Sequence, residues 1–257
     1  MRFEVLLTRK MLTDINVNEC LVNSFDITSR RLVLLSTNDQ FYLLGWGGIV
    51  PFEKKMPGVI SSFAFTPDSL LMTIHNNELC CFDSLGNLSK LFKLPNPGMG
   101  ICAGKYAMYV YDKNAEQKSP ALYMIARGGK YVKVFDTPGP INAVVETDAS
   151  LLFATGNGLF SYTPKNKELK ALAVLPKDKK IISIAADASG DVIYFSTRDM
   201  LYSLKDSNVV LLTDKYAGTL RYYNGGLMVF DTEKNILIRI EGIDNKIIPR
   251  SSERVKN

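Results

Sequence analysis

The chain has 257 residues, 46% hydrophobic, 22% charged and 10% aromatic, with a formal net charge of +5. That composition excludes a disordered chain, a collagen-like fibre and a long coiled coil. No run approaches 18 apolar residues, so no membrane-spanning helix is encoded.

The first element is a strand, Phe3-Glu4-Val5-Leu6-Leu7. Arg2, Glu4, Arg9 and Lys10 surround its short apolar patch, which is too short for a secretory signal. The chain as written therefore reads as soluble and cytoplasmic, or as periplasmic or secreted if an export leader has been removed. Four strands follow at Cys20–Phe25, Leu32–Leu35, Phe41–Leu44 and Ile49–Phe52. The pattern returns at Val59–Phe65, Leu70–Ile74, Glu78–Phe82 and Leu88–Leu94. Its turns are Thr66-Pro67-Asp68-Ser69, Asn76-Asn77 and the segment from Asp83 to Asn87, all residue types that favour turns. A looser copy spans Ile101–Phe135, with an excursion from Asp112 to Pro120. Ile141–Val145, Leu151–Ala154, Leu159–Tyr162 and Leu169–Leu175 form a further copy. Another begins at Ile181 and continues through Val192–Phe195, Met200–Leu204 and Val209–Leu212. The last has only three strands, Thr219–Tyr223, Leu227–Phe230 and Ile236–Ile240.

The register can be counted. The first large apolar residue of each third strand falls at Phe41, Leu79, Leu122, Leu159, Leu201 and Ile236, with gaps of 38, 43, 37, 42 and 35. A four-stranded repeat of about 40 residues is the signature of a β-propeller blade. The three-stranded last unit and the lone first strand complete each other, because an open ring would leave raw sheet edges. The expected fold is all-β: a single six-bladed propeller of four-stranded antiparallel blades over residues 1–243. The N-terminal strand completes the last blade, and a polar tail covers 244–257.

This pattern resembles the six-bladed propellers of the NHL-repeat and gluconolactonase-like kind over nearly the whole chain. The Trp-Asp and Gly-His pairs of WD blades are absent, and the only Trp is Trp46. The Gly pairs at 47–48, 128–129 and 225–226 fall out of the kelch register. For gluconolactonase-like enzymes the resemblance implies a divalent metal held by Glu, Asn and Asp at the channel mouth, with oxygen ligands suited to calcium. Channel-side polar residues here include Glu19, Asn23, Asn142, Glu146, Ser183, Asp187 and Arg221. None matches the family's ligands position by position.

Other chemistry is sparse. Cys20, Cys80, Cys81 and Cys102 form no C-x-x-C pair, and His75 is the only histidine, so a zinc site is rejected. Cys80 and Cys81 point to opposite faces of a strand and read as small buried hydrophobes. Gly156-Asn157-Gly158 precedes a strand rather than a helix, which argues against a phosphate loop. The 31 basic and 26 acidic residues are scattered, unlike those of a nucleic-acid binder.

The expected function is therefore a non-enzymatic binding module, monomeric by itself, with no cofactor. It would hold a protein partner, acidic in character, on the face that carries the second-to-third and fourth-to-first connections. The residues expected there are Lys54, Lys55, His75, Asn76, Asn157, Lys179, Lys180, Arg198 and Asp199. The alternative is a metal-dependent lactonase or sugar-acting hydrolase, with a divalent cation such as calcium in the central channel.

Overall fold

The computed structural model describes residues 1–13, 24–27, 33–36, 41–45, 48–51, 60–66, 68–82, 87–114, 116, 118–126, 130–187 and 189–243. The expected tail and residues Glu19, Cys20, Asn23, Lys54 and Lys55 lie outside them.

Strand β1 (Arg2–Leu7) is followed by a one-turn helix, α1 (Arg9–Thr13). The first four-stranded sheet is β2 (Ser24–Ile27), β3 (Val33–Ser36), β4 (Phe41–Gly45) and β5 (Gly48–Pro51). The next is β6 (Ile60–Phe65), β7 (Leu71–His75), β8 (Glu78–Phe82) and β9 (Leu88–Lys93). Then come β10 (Met99–Ala103), β11 (Met108–Asp112), β12 (Ala121–Ala126) and β13 (Lys130–Asp136). Strands β14 (Ile141–Glu146), β15 (Leu151–Thr155), β16 (Gly158–Thr163) and β17 (Glu168–Val174) form another sheet. So do β18 (Ser183–Ala186), β19 (Ile193–Ser196), β20 (Leu201–Lys205) and β21 (Asn208–Thr213). The chain ends in β22 (Thr219–Tyr223), β23 (Gly226–Asp231) and β24 (Ile236–Glu241), and β1 pairs antiparallel with β24 to give that sheet its fourth strand. Phe3 faces Ile240 and Val5 faces Ile238.

The inner strands β2, β6, β10, β14, β18 and β22 follow one another around a central axis, and β22 returns to contact β2. The fold is an all-β propeller. Burial falls off along each blade. Second strands such as β7, β15 and β23 are buried throughout, as their near-continuous apolar sequences LMTIH, LLFAT and GLMVFD require. Fourth strands such as β13 and β17 are mostly exposed and carry Lys130, Lys133 and Lys170, charges that discourage edge-to-edge pairing. The core lies between blades. One cluster joins Leu152, Leu159 and Ala154 to Ile184, Phe195 and Leu204 of the next sheet. Phe41 meets Phe63 edge-on at 5.2 Å, and Phe135 meets Phe153 at 5.2 Å, each across a blade boundary.

The counting register is sound at Phe41, Leu79, Leu122, Leu159 and Leu201, all fully buried. In the last unit the buried residue is Leu237, and Ile236 is only half-buried. In the first unit the described first strand is Ser24–Ile27, and residues 20–23 of the expected Cys20–Phe25 lie outside the described residues. The hairpins turn as their residues dictate. Asn76-Asn77 and Asn224-Gly225 all have positive φ, between 47° and 72°, as tight two-residue turns between twisted strands require. Cys80, Cys81 and Cys102 form no disulfide.

Candidate functional site

Strands alternate direction, so second-to-third turns and fourth-to-first connections emerge on one face. Charged side chains from several of these segments meet there. Lys179, between β17 and β18, donates to Asp199 Oδ2 at 2.7 Å, and Thr197 Oγ1 donates to Asp199 Oδ1 at 2.8 Å. Arg198, between β19 and β20, donates from Nε to Glu233 Oε1 at 2.5 Å. Lys234, between β23 and β24, donates to Asp231 Oδ2 at 2.8 Å and to the Lys215 carbonyl at 2.6 Å. The Lys179 ammonium holds the Asp199 carboxyl below the usual carboxylate range. Such exposed pairs add little stability. Their consequence is a fixed charge pattern across neighbouring blades.

Lys179, Arg198 and Asp199 are thus brought together, with Lys177 and Lys180 exposed beside them. Other expected site residues serve the fold. His75 is 4% exposed, its Nε2 lies 2.9 Å from the Asn76 amide, and its Nδ1 is buried with no hydrogen-bond partner among the described residues. On the protein surface only Asn76 of that pair is exposed. The Asn157 side-chain amide donates to the Leu175 carbonyl, while the Leu175 N–H donates to the Asn157 carbonyl at 2.9 Å. Asn77 and Leu94 repeat this clasp in another blade. Asn157 therefore fastens a turn to the following connection.

The inner strands enclose a central cavity of about 510 Å³. Asn142, Glu146, Ser183 and Arg221 line it, as expected. Asp187 does not. Its carboxylate accepts from Gly190 N–H at 2.9 Å and from Ser189 Oγ at 2.9 Å, closing its own turn. Asp26 and Lys113 also line the cavity, and neither is among the channel-side residues expected from the sequence. A carboxylate in the apolar strand Phe25-Asp26-Ile27 was the available signal for the first.

Most of these polar groups tie adjacent blades together. Asp26 accepts from Phe65 N–H at 3.0 Å, and Ser62 accepts from Ile101 N–H at 3.1 Å. Asn142 donates to the Ile181 carbonyl at 2.8 Å, and Ser183 accepts from Leu220 N–H at 2.9 Å. Each partner lies 37 or 39 residues further on, one repeat along the chain. Glu146 bonds in the other direction, accepting from the Tyr106 N–H at 2.8 Å and from the Tyr109 hydroxyl. Asp26 also receives Arg221 Nε at 2.9 Å. Burial works against the Arg221 cation, but the neighbouring Asp26 carboxylate outweighs it and raises the guanidinium pKa. Burial pushes the Tyr109 and Tyr111 hydroxyls up, with the Glu146 hydrogen bond adding to the effect at Tyr109.

Among the described residues no three His, Cys, Asp or Glu side chains converge as a metal cage would require. Burial pushes the Cys102 thiol up to about 12, against the smaller opposing pull of Arg221. Only the thiolate is nucleophilic. Iodoacetamide at pH 8 is therefore expected to spare Cys102 in the native protein and to alkylate it after unfolding in urea. Peptide mass mapping of the two samples checks this, and rapid native labelling of Cys102 would contradict it.

No protein-family model matches the chain, and no curated protein matches it in sequence. Solved structures do share its fold. A gluconolactonase-family protein is 14% identical with a TM-score of 0.66, over 93% of this chain and 91% of that one. A chain of the nidogen–laminin complex is 14% identical with a TM-score of 0.67, over 82% and 89%. The extracellular domain of a protein assigned as a one-component system of B. thetaiotaomicron is 16% identical with a TM-score of 0.62. The match covers 92% of this chain but spans only 40% of that one. At these identities the likeness shows the fold alone: a propeller like those of gluconolactonase-like and NHL-type proteins. Among the described residues no helix is long and apolar enough to cross a membrane.

Proposed function

We propose that this chain is a non-enzymatic binding module, a six-bladed propeller that holds an acidic protein partner on its loop face. The domain is residues 1–243, and the module acts as a monomer, cytoplasmic as written and periplasmic or secreted if an export leader has been removed. One observation carries the reading. Charged side chains of successive blades lie on this face, where three ion pairs, Lys179–Asp199, Arg198–Glu233 and Lys234–Asp231, stand on neighbouring connections and Lys177 and Lys180 are exposed beside them. Among the described residues the channel carboxylates Asp26 and Glu146 are meanwhile engaged in blade-to-blade contacts. Binding residues carried on the loops of a rigid scaffold suit partner recognition. A propeller of like fold in a nidogen–laminin complex is in keeping with this role.

The test is affinity capture with the tagged full chain and two charge-reversed variants. One is Lys179→Glu/Lys180→Glu/Arg198→Glu on the loop face. The other is Lys165→Glu/Lys167→Glu in the turn between β16 and β17, on the opposite face. A near-stoichiometric partner is expected, its recovery reduced about tenfold or more by the first variant and unchanged by the second. Equal recovery with both variants, or no such partner, overturns the reading.

A further inference from the structure

The central cavity carries one cation that the fold does not use. Lys113 follows β11, the second strand of its sheet, so its side chain would ordinarily be kept from the axis by the inner strand β10. It reaches the cavity because residue 100 of that inner strand is glycine. A Cβ at Gly100 would lie 2.8 Å from Lys113 Cδ and 2.5 Å from the Tyr111 ring. Both side chains line the cavity. The adjacent Asp112 is 1% exposed and is held by the Asn96 amide at 2.9 Å and the Ala121 N–H at 3.0 Å. These bonds fix the backbone from which Lys113 departs.

Among the described residues Lys113 forms no hydrogen bond and no ion pair. Arg221 lines the same cavity. Its Nε is bonded to Asp26 and its Nη1 to the Leu220 carbonyl, while Nη2 has no partner among the described residues. The cavity volume, about 510 Å³, falls in the range of small-molecule sites. It far exceeds what one inorganic ion fills. Ser24 and Thr219 line the same space.

We propose that the central cavity binds a small polar molecule bearing an anionic oxygen group, a carboxylate or a phosphate ester, placed between Lys113 and Arg221. Lys113 is exposed to the solvent that fills the cavity, and an anion of this kind would replace water as its partner with a charge-assisted hydrogen bond. Desolvation, with repulsion from Lys180 second, holds the Lys113 amine below the ordinary lysine range. Arg221 supplies its Nη2, a charged donor of the kind that carboxylates and phosphates accept. Lys180 of the loop face is felt by Lys113, but the loop-face ion pairs and the Lys113–Arg221 site share no residue, so either reading can fail without the other.

The experiment is calorimetric titration of the full chain with succinate, with glycerol 3-phosphate and with glycerol as the uncharged control. At least one anion is expected to bind, and glycerol is not. Success with succinate alone identifies a carboxylate site, and success with glycerol 3-phosphate alone a phosphate site. Lys113→Met is expected to weaken binding about tenfold or more while retaining the far-UV spectrum and melting behaviour of the parent. NMR titration of the Lys113 amine in the unmodified protein adds a readout that needs no variant. Saturating anion should raise its pKa toward the ordinary value. Failure of both anions to bind, equal binding to Lys113→Met, or an unmoved Lys113 titration each overturns the proposal.

Discussion

Replacing Gly218 by alanine is expected to destabilise the protein by about 4 kcal/mol, from backbone strain and overpacking together. Gly218 enters the inner strand β22 with φ of +145°, which L side chains rarely adopt. A Cβ there would lie 2.0 Å from the Phe230 carbonyl oxygen and 2.9 Å from its carbon. These are backbone atoms, so no rotamer change relieves the clash. Thr219, the next residue, pairs with Phe230, so relief means moving β22 away from β23. The Gly218 carbonyl also accepts the Ser196 hydroxyl at 2.5 Å, and Leu220 N–H donates to Ser183. Displacing β22 therefore loosens the neighbouring blade as well. Gly225→Ala is the internal control. It too has positive φ, +72°, but its Cβ would meet nothing within 4 Å. Its cost should be only about 1 kcal/mol. Urea denaturation of both variants checks this, with Cm as the readout at unchanged m. Equal losses would show that the close approach to Phe230 carries no energy.

The two glycines also mark what a linear sequence makes legible. Asn224-Gly225 between two apolar runs reads directly as a tight turn, and it is one. Gly218 gives no such signal, because the atom it makes room for lies in a different strand. The same division runs through the molecule. Third strands announce themselves by a large apolar residue every 35 to 43 positions, since each blade repeats the same burial. The strand Glu78–Phe82 falls where the alternation places it. The one-turn helix Arg9–Thr13 does not, being shorter than the window over which helical periodicity can be seen.

The candidate site divides in the same way. Lys179, Arg198 and Asp199 share a face because strand direction alone decides which loops emerge together. His75 and Asn157 are expected on the binding face because they sit at second-to-third turns. Their neighbours turn out to be Asn76 and the Leu175 carbonyl, contacts that no residue spacing specifies. Lys113 was hidden for a further reason. Its route to the axis depends on a side chain that Gly100 lacks, and an absence one sheet position away leaves no periodic trace.

Asp26→Ala is expected to cost about 3 kcal/mol, the low end for breaking a buried pair because channel water reaches the partner. Asp26 belongs to β2, and its two oxygens reach three blades. Oδ1 receives Arg221 Nε at 2.9 Å from β22, where the ring returns on itself, and Ile27 N–H at 3.0 Å. Oδ2 receives Phe65 N–H at 3.0 Å from β6. The Asp26 and Arg221 side chains are 12% and 33% exposed. Alanine leaves two N–H groups without this acceptor and a cation facing the cavity without its counter-charge. The double variant Asp26→Ala/Arg221→Met separates these effects. Removing the guanidinium cancels the uncompensated charge, so the double variant should lose less than the two single variants combined. The expected coupling is about 1–2 kcal/mol. The Phe65 and Ile27 bonds stay broken in both, so Asp26→Ala/Arg221→Met should still fall below the parent. Additive losses, measured by urea unfolding at fixed pH and salt, would mean that Asp26 acts only through the backbone of β2 and β6. The ring closure would then rest on the β1–β24 pairing and on the packing of Phe25 against Phe230, whose rings lie 6.2 Å apart.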